Sequence, residues 1–154
     1  MASDETPLYK AIANYRPPPF NKDTVLNYYA PAYGTLNYAL LSINVMNPGL
    51  LQRIVPKPDL TNIFLINSCV GSFLFIAARP HLSEAPLKLR IVYSVYGSVL
   101  FNMGSVLSWA ILRSLLPNNS GLATVAGLIS GFALTGCGVA YLSYNDKTVK
   151  ANKK

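Results

Sequence analysis

The sequence predicts an all-α, polytopic membrane protein: four transmembrane helices behind an extended N-terminal arm. Three observations predict it. Charged residues make up 12% of the chain and hydrophobic residues 51%, whereas soluble domains carry roughly 25% charged residues. Four long runs are free of charge, 24–52, 60–78, 91–112 and 114–145, and each reaches the ~17–25 residues that cross about 30 Å of hydrocarbon. The basic residues stand between and beyond those runs instead of along one amphipathic face, as expected of side chains that anchor helices at a membrane edge. The chain thus divides into an arm (1–32), a four-helix transmembrane domain (33–144) and a basic tail (145–154).

The arm holds three consecutive prolines, Pro17, Pro18 and Pro19, which favour an extended polyproline conformation without internal hydrogen bonds. Tyr9, Tyr15, Tyr28 and Tyr29 lie in or just beyond the same stretch, which is too short to form a core alone. Such a segment either stays disordered or lies across a neighbour's surface. The aromatic content favours the neighbour, with Tyr15, Arg16, Pro17, Pro18, Pro19 and Phe20 as the partner-binding residues, since Tyr and Arg are effective interface anchors.

The first run is the most polar of the four. Tyr33 to Leu51 spans about 29 Å as one helix, but Asn37, Asn44 and Asn47 each need a hydrogen-bond partner in lipid and Pro48 removes a backbone donor. The alternative is a helix lying in the interface. Charge distribution separates the two. With four spans, one side collects ten of the thirteen Lys and Arg and the other three; with three spans the split is six against seven. Only the four-span arrangement carries a positive-inside signal. It puts both termini on the basic side and makes the asparagines face protein.

The second run, from Leu60, is bounded by Pro58 and Asp59 before it and by Arg79 and Pro80 after it, all helix-stop or interface signals. The third begins with Tyr93 and Tyr96 and ends at Trp109 and Arg113, which reads as an aromatic belt at each interface. Leu115 to Asn119 form a turn, and the fourth span follows from Ser120 to Tyr144. Tyr28, Tyr29, Tyr33, Tyr93, Tyr96, Tyr141 and Tyr144 then share the basic interface, with Trp109 at the other.

In the last span Ala123, Gly127, Gly131 and Thr135 recur every four residues. A face of small residues lets another helix backbone approach closely, which is how helices associate in lipid. It serves either internal packing between the third and fourth spans or a docking face for another subunit. The intramembrane asparagines bond across helices or line a polar path. No Asp, Glu, His, Lys or Arg lies inside a predicted span, which argues against a pump or coupled transporter.

Cys69 and Cys137 read as small core residues. His81, the only histidine, reads as a solvated loop residue, because a metal site needs partners that the neighbouring sequence lacks. Phosphate loops, nucleophile elbows and paired catalytic carboxylates are all missing, so no catalytic residue, metal or cofactor is predicted. A net charge of +7 without a basic groove or stacking platform does not predict a nucleic-acid partner. The tail, NDKTVKANKK, reads as an electrostatic anchor to an anionic leaflet. It lacks a dilysine retrieval signal, having Ala151 and Asn152 where that signal needs Lys.

The acidic, presequence-free start (MASDET), the Pro and Tyr arm (YRPPPF, NYYAPAY), four short spans and the Lys tail (KANKK) together resemble the supernumerary accessory subunits of mitochondrial respiratory complexes, most of all the small polytopic subunits of fungal-type complex I. The resemblance is one of overall plan. It implies a multi-pass protein of the mitochondrial inner membrane with both termini on the matrix side, partnered by other membrane subunits of a large complex. It also implies a role in assembly or stability, no cofactor ligands of its own, and bound phospholipid at the basic interfaces. The competing readings are a small oligomeric transporter or channel, and an endoplasmic-reticulum or Golgi adaptor.

Overall fold

Proline disfavours helical geometry in the residue before it and is well accommodated at the first position of a new helix. The Asn47-Pro48 step shows both effects. In the computed structural model, which describes residues 17–21, 24–54, 60–116 and 119–152, helix α1 (Ala30–Met46) ends at Asn47, where the backbone opens to φ −143°, ψ 76°. A short helix α2 (Pro48–Ile54) then begins on the proline itself. The single helix expected from Tyr33 to Leu51 is therefore two. A π-helical turn, Val25–Tyr29, leads directly into α1.

Three further helices follow: α3 (Leu60–Ala77), α4 (Leu87–Leu115) and α5 (Ser120–Ala151), with a 3₁₀ turn, Pro80–Leu82, between α3 and α4. Asn119 caps α5 by accepting a hydrogen bond from the Leu122 N–H at 3.0 Å, which satisfies one of the unpaired donors at a helix start. No strand occurs among the described residues. Helices α3, α4 and α5 are long and apolar enough to cross a membrane, and only 11%, 22% and 17% of their most apolar windows are buried. At 32 residues, α5 is about 48 Å long, well beyond the hydrocarbon thickness. Its last turns, with Asp146 and Lys147, project past the span, and the first residues of the basic tail continue the helix.

Contacts fix an up-down-up-down order. Asn44 bonds Thr61 and Asn37 bonds Asn67, so α1 and α3 are antiparallel. Ser68 meets Asn102 and Ser72 meets Ser98, so α3 and α4 are antiparallel. Trp109 donates to Ser130 across α4 and α5. Helix α1 lies against all three and is the most buried, with Gly34, Asn37, Tyr38, Leu41, Ser42, Asn44 and Met46 turned inward. Its polarity is thereby explained: Asn37 and Asn44 face protein.

The closest approach is Gly34 against Gly71. A Cβ added at Gly34 would lie 2.5 Å from the Gly71 Cα, a distance no side-chain rotation relieves. Both glycines have ordinary negative-φ backbones, so the missing side chain is what matters.

The core is Tyr38, Leu41, Met46, Trp109 and Ala123. Trp109 is completely buried, 5.0 Å from the Tyr38 ring, so the expected interfacial belt residue is a core residue. Its indole N–H reaches Ser130 at 3.2 Å, which lets a ring with one polar edge fill the centre of a lipid-embedded bundle. Exposed Tyr93, Tyr96, Tyr141 and Tyr144 stay on the surface.

A polar seam joins α3 and α4. Asn102, fully buried, accepts from Ser68 at 2.5 Å and donates to Ser72 at 2.9 Å and to the Ser98 carbonyl at 2.8 Å. Ser98 in turn donates to the Cys69 carbonyl at 2.6 Å. Each of these side chains has a partner, which is what a buried polar network in hydrocarbon requires.

Candidate functional site

The small-residue face of α5 determines where the bundle closes and where it opens. Ala123, Gly127 and Gly131 are buried. A Cβ at Gly127 would meet Met46 Cγ at 2.6 Å and the Ser42 carbonyl at 3.4 Å; one at Gly131 would meet Trp109 Cζ2 at 3.3 Å and Tyr38 Cε1 at 3.5 Å. This face therefore packs inward, chiefly on α1, with Trp109 the α4 contribution. Thr135, one turn further, is half-buried and donates to the Gly131 carbonyl at 2.9 Å.

Beyond Gly131 the two helices part, and a groove of about 360 Å³ fills the gap. Its floor is aromatic, with Tyr38 and Phe101 stacked 5.1 Å apart. All four long helices line it, through Gly34, Gly71, Gly97 and Gly138 among others. Exposed Thr35, Val139 and Tyr141 form its rim, so it opens sideways, toward the surface the spans present to lipid.

A charged clasp closes the end of the bundle next to the groove. Phe75 lines the groove, and the Arg79 guanidinium sits 4.0 Å over its ring. Arg79 Nη1 reaches Asp146 Oδ2 at a long 3.4 Å, while its Nε is enclosed without an acceptor. His81 holds the same carboxylate more tightly: Oδ1 accepts from the His81 ring Nδ1 at 2.6 Å and from the His81 backbone N–H at 3.1 Å. His81 is thus a partly buried hydrogen-bond partner of Asp146 and not the solvated loop residue the sequence predicts. Burial pushes the Asp146 carboxyl up, but the His81 hydrogen bonds and the charges of His81 and Arg79 more than offset it, holding the carboxyl below its ordinary range. Nearby, Arg90 Nε donates to the Ala77 carbonyl at 2.6 Å.

Comparison with known protein families, curated proteins and solved structures finds no match. Among the described residues, no three His, Cys, Asp or Glu side chains gather as a metal site would need.

Of the arm, Tyr15 and Arg16 lie outside the described residues, as do Lys153 and Lys154 of the tail. Pro17, Pro18, Pro19 and Phe20 are described, and the Tyr29 hydroxyl donates to the Pro18 carbonyl at 2.9 Å. Phe20 stands 81% exposed, its ring 5.3 Å from that of Tyr29.

Sequence reasoning missed the Gly34–Gly71 crossing and the Arg79–His81–Asp146 clasp. A small-xxx-small spacing from Ala30 to Gly34 signals the first. For the second, Asp146 is one of only six acidic residues and stands just past a long apolar run, where an acid needs a cationic partner.

A second small face of α5 points outward. Ala133, Gly136, Cys137 and Ala140 share one side of the helix and are all exposed, and nothing lies within 4 Å of where a Gly136 Cβ would stand.

Proposed function

We propose that the chain is a non-catalytic structural subunit of a multi-subunit mitochondrial inner-membrane complex, with respiratory complex I favoured, and that it supports that complex's assembly or stability. The observation that carries this reading is the outward face Ala133, Gly136, Cys137 and Ala140. One small face of α5 is occupied by α1, and the second is free to receive a helix of a neighbouring subunit at close range. Exposed Phe20, on an arm held to the bundle by Tyr29, supplies a second anchor of the kind interfaces use.

In this reading α1 is the fourth span, placed centrally. Its 17 residues cover about 26 Å, and the preceding π turn extends it. Both termini then lie on the strongly basic side, the matrix side by the positive-inside rule. The mitochondrial assignment rests on the overall plan of arm, spans and tail. The chain contributes packing and contacts, not redox or catalytic groups.

Native-gel migration of the tagged protein from mildly solubilised mitochondrial membranes, with mass spectrometry of the excised band, tests this. Co-migration with a respiratory complex is expected. Migration alone at small mass would favour a stand-alone transporter or channel, and absence from mitochondria would favour an endoplasmic-reticulum or Golgi adaptor.

A further inference from the structure

We propose that the groove between α1 and α5 holds one acyl chain of an anionic phospholipid, whose head group rests against Arg79, Arg90 and Lys147. The inference needs only that the bundle lies in a bilayer and is independent of which complex houses it.

Four observations converge. The lining is almost entirely apolar, so water gains few hydrogen bonds there and the groove takes up hydrocarbon. Its volume of about 360 Å³ corresponds to roughly a dozen methylene groups, each taken as about the ~30 Å³ of a water molecule; that is a single chain, not a bundle of them. Its rim of Thr35, Val139 and Tyr141 is exposed, giving a lipid lateral entry without any helix moving. Finally, the end toward which it runs is basic. Arg79 covers the lining residue Phe75, Arg90 bonds the carbonyl next to the lining residue Ile76, and Lys147 stands less than two turns beyond the lining residue Leu142.

Among the described residues, the charged and titratable side chains on the elements at that end are Arg79, His81, Lys88, Arg90, Lys147 and Lys150 with Glu84 and Asp146. Among the described residues, Asp146 pairs with Arg79, and it is held by two hydrogen bonds from His81. The ion pair to Arg79 is the long one, and the Arg79 side chain keeps 18% exposure, so the exposed part of its guanidinium is open to a phosphate oxygen.

Trp109, the only tryptophan, makes the test direct, since its ring lies 5.0 Å from that of Tyr38 on the groove floor. The delipidated full chain in detergent is titrated with phosphatidylglycerol carrying brominated acyl chains, and with phosphatidylcholine carrying the same chains, while Trp109 emission is followed. Saturable quenching is expected, tighter for phosphatidylglycerol by about fivefold for each basic residue engaged. Gly138→Leu puts a side chain into the groove and should abolish the saturable component while leaving the unquenched emission maximum in place. Lys147→Gln, at an exposed site, should narrow the difference between the two lipids and leave chain binding intact, and this holds whether or not the leucine variant folds. Quenching that rises without saturating overturns the proposal. So does equal affinity for the two lipids, or a self-associated protein that takes up no lipid.

Discussion

Replacing Gly34 by Ala adds one methyl group at the tightest point of the bundle. The new Cβ would stand 2.5 Å from the Gly71 Cα, whereas carbon atoms rest at about 3.5–4.0 Å, so α1 and α3 must separate locally by about 1 Å. Backbone lies on both sides, and no rotamer absorbs the clash. Overpacking of this kind costs about 1–3 kcal/mol. The separation also stretches the Asn67–Asn37 hydrogen bond, already 3.3 Å, a loss of about 0.6 kcal/mol in membrane proteins. Against this stands the better helix propensity of Ala, at most about 1 kcal/mol. The net destabilisation is roughly 0.6–2.6 kcal/mol. Gly104→Ala and Gly136→Ala gain the same propensity with nothing within 4 Å of the new atom, so they calibrate that contribution. Thermal unfolding in detergent, followed by Trp109 emission, should put Gly34→Ala well below both controls. Equal midpoints for all three would refute the close crossing.

Gly127→Leu forces Met46 and the Ser42 backbone away from α5 and should destabilise the isolated protein by about 1–3 kcal/mol, whereas Gly136→Leu should leave its melting midpoint unchanged yet loosen it from the proposed complex on native gels. Asn102→Leu removes the hub of the α3–α4 seam and should cost about 1–2 kcal/mol, read as a lower midpoint in the same melt. Because the Asp146 carboxyl sits below its ordinary value when folded, its stabilising contribution is complete above the unfolded carboxyl value of about 3.9 and fades as pH falls through the lower folded value. The acid limb of a stability–pH profile should therefore flatten in Asp146→Asn, with a midpoint lowered at neutral pH as well. Removing residues 1–20, including Phe20, should leave membrane insertion intact and weaken co-migration with the proposed complex.

The long apolar helices were legible because lipid imposes a simple rule, roughly 20 uncharged residues per span. Charges bound α3 to within two residues, whereas α4 and α5 continue three to six residues past the ends of their charge-free runs. The inward-facing asparagines were legible for the same reason, since an unpartnered amide is costly in hydrocarbon. Trp109 was misread because a tryptophan near the end of an apolar run fits both an interface and a core. Only the position of Ser130 and Tyr38 opposite it decides between them, and that is a tertiary fact.

The clasp was hidden for a related reason. His81 and Asp146 are 65 residues apart, and neither position carries a local signal for the other. The groove was beyond reach altogether, because it arises where α1 and α5 diverge past Gly131, and a sequence pattern records which residues are small without recording where helices part. The break at Asn47 was different in kind. Pro48 was in plain view, and a span of sufficient length masked its usual effect on the residue before it.

Site-specific photocrosslinking from position 137, on the outward face of α5, tests the central claim most directly when run in intact mitochondrial membranes with the adduct identified by mass spectrometry. A subunit role predicts one discrete protein adduct, a membrane subunit of a respiratory complex, that is lost in Gly136→Leu. Lipid adducts alone, or crosslinking to a second copy of the chain, would contradict it.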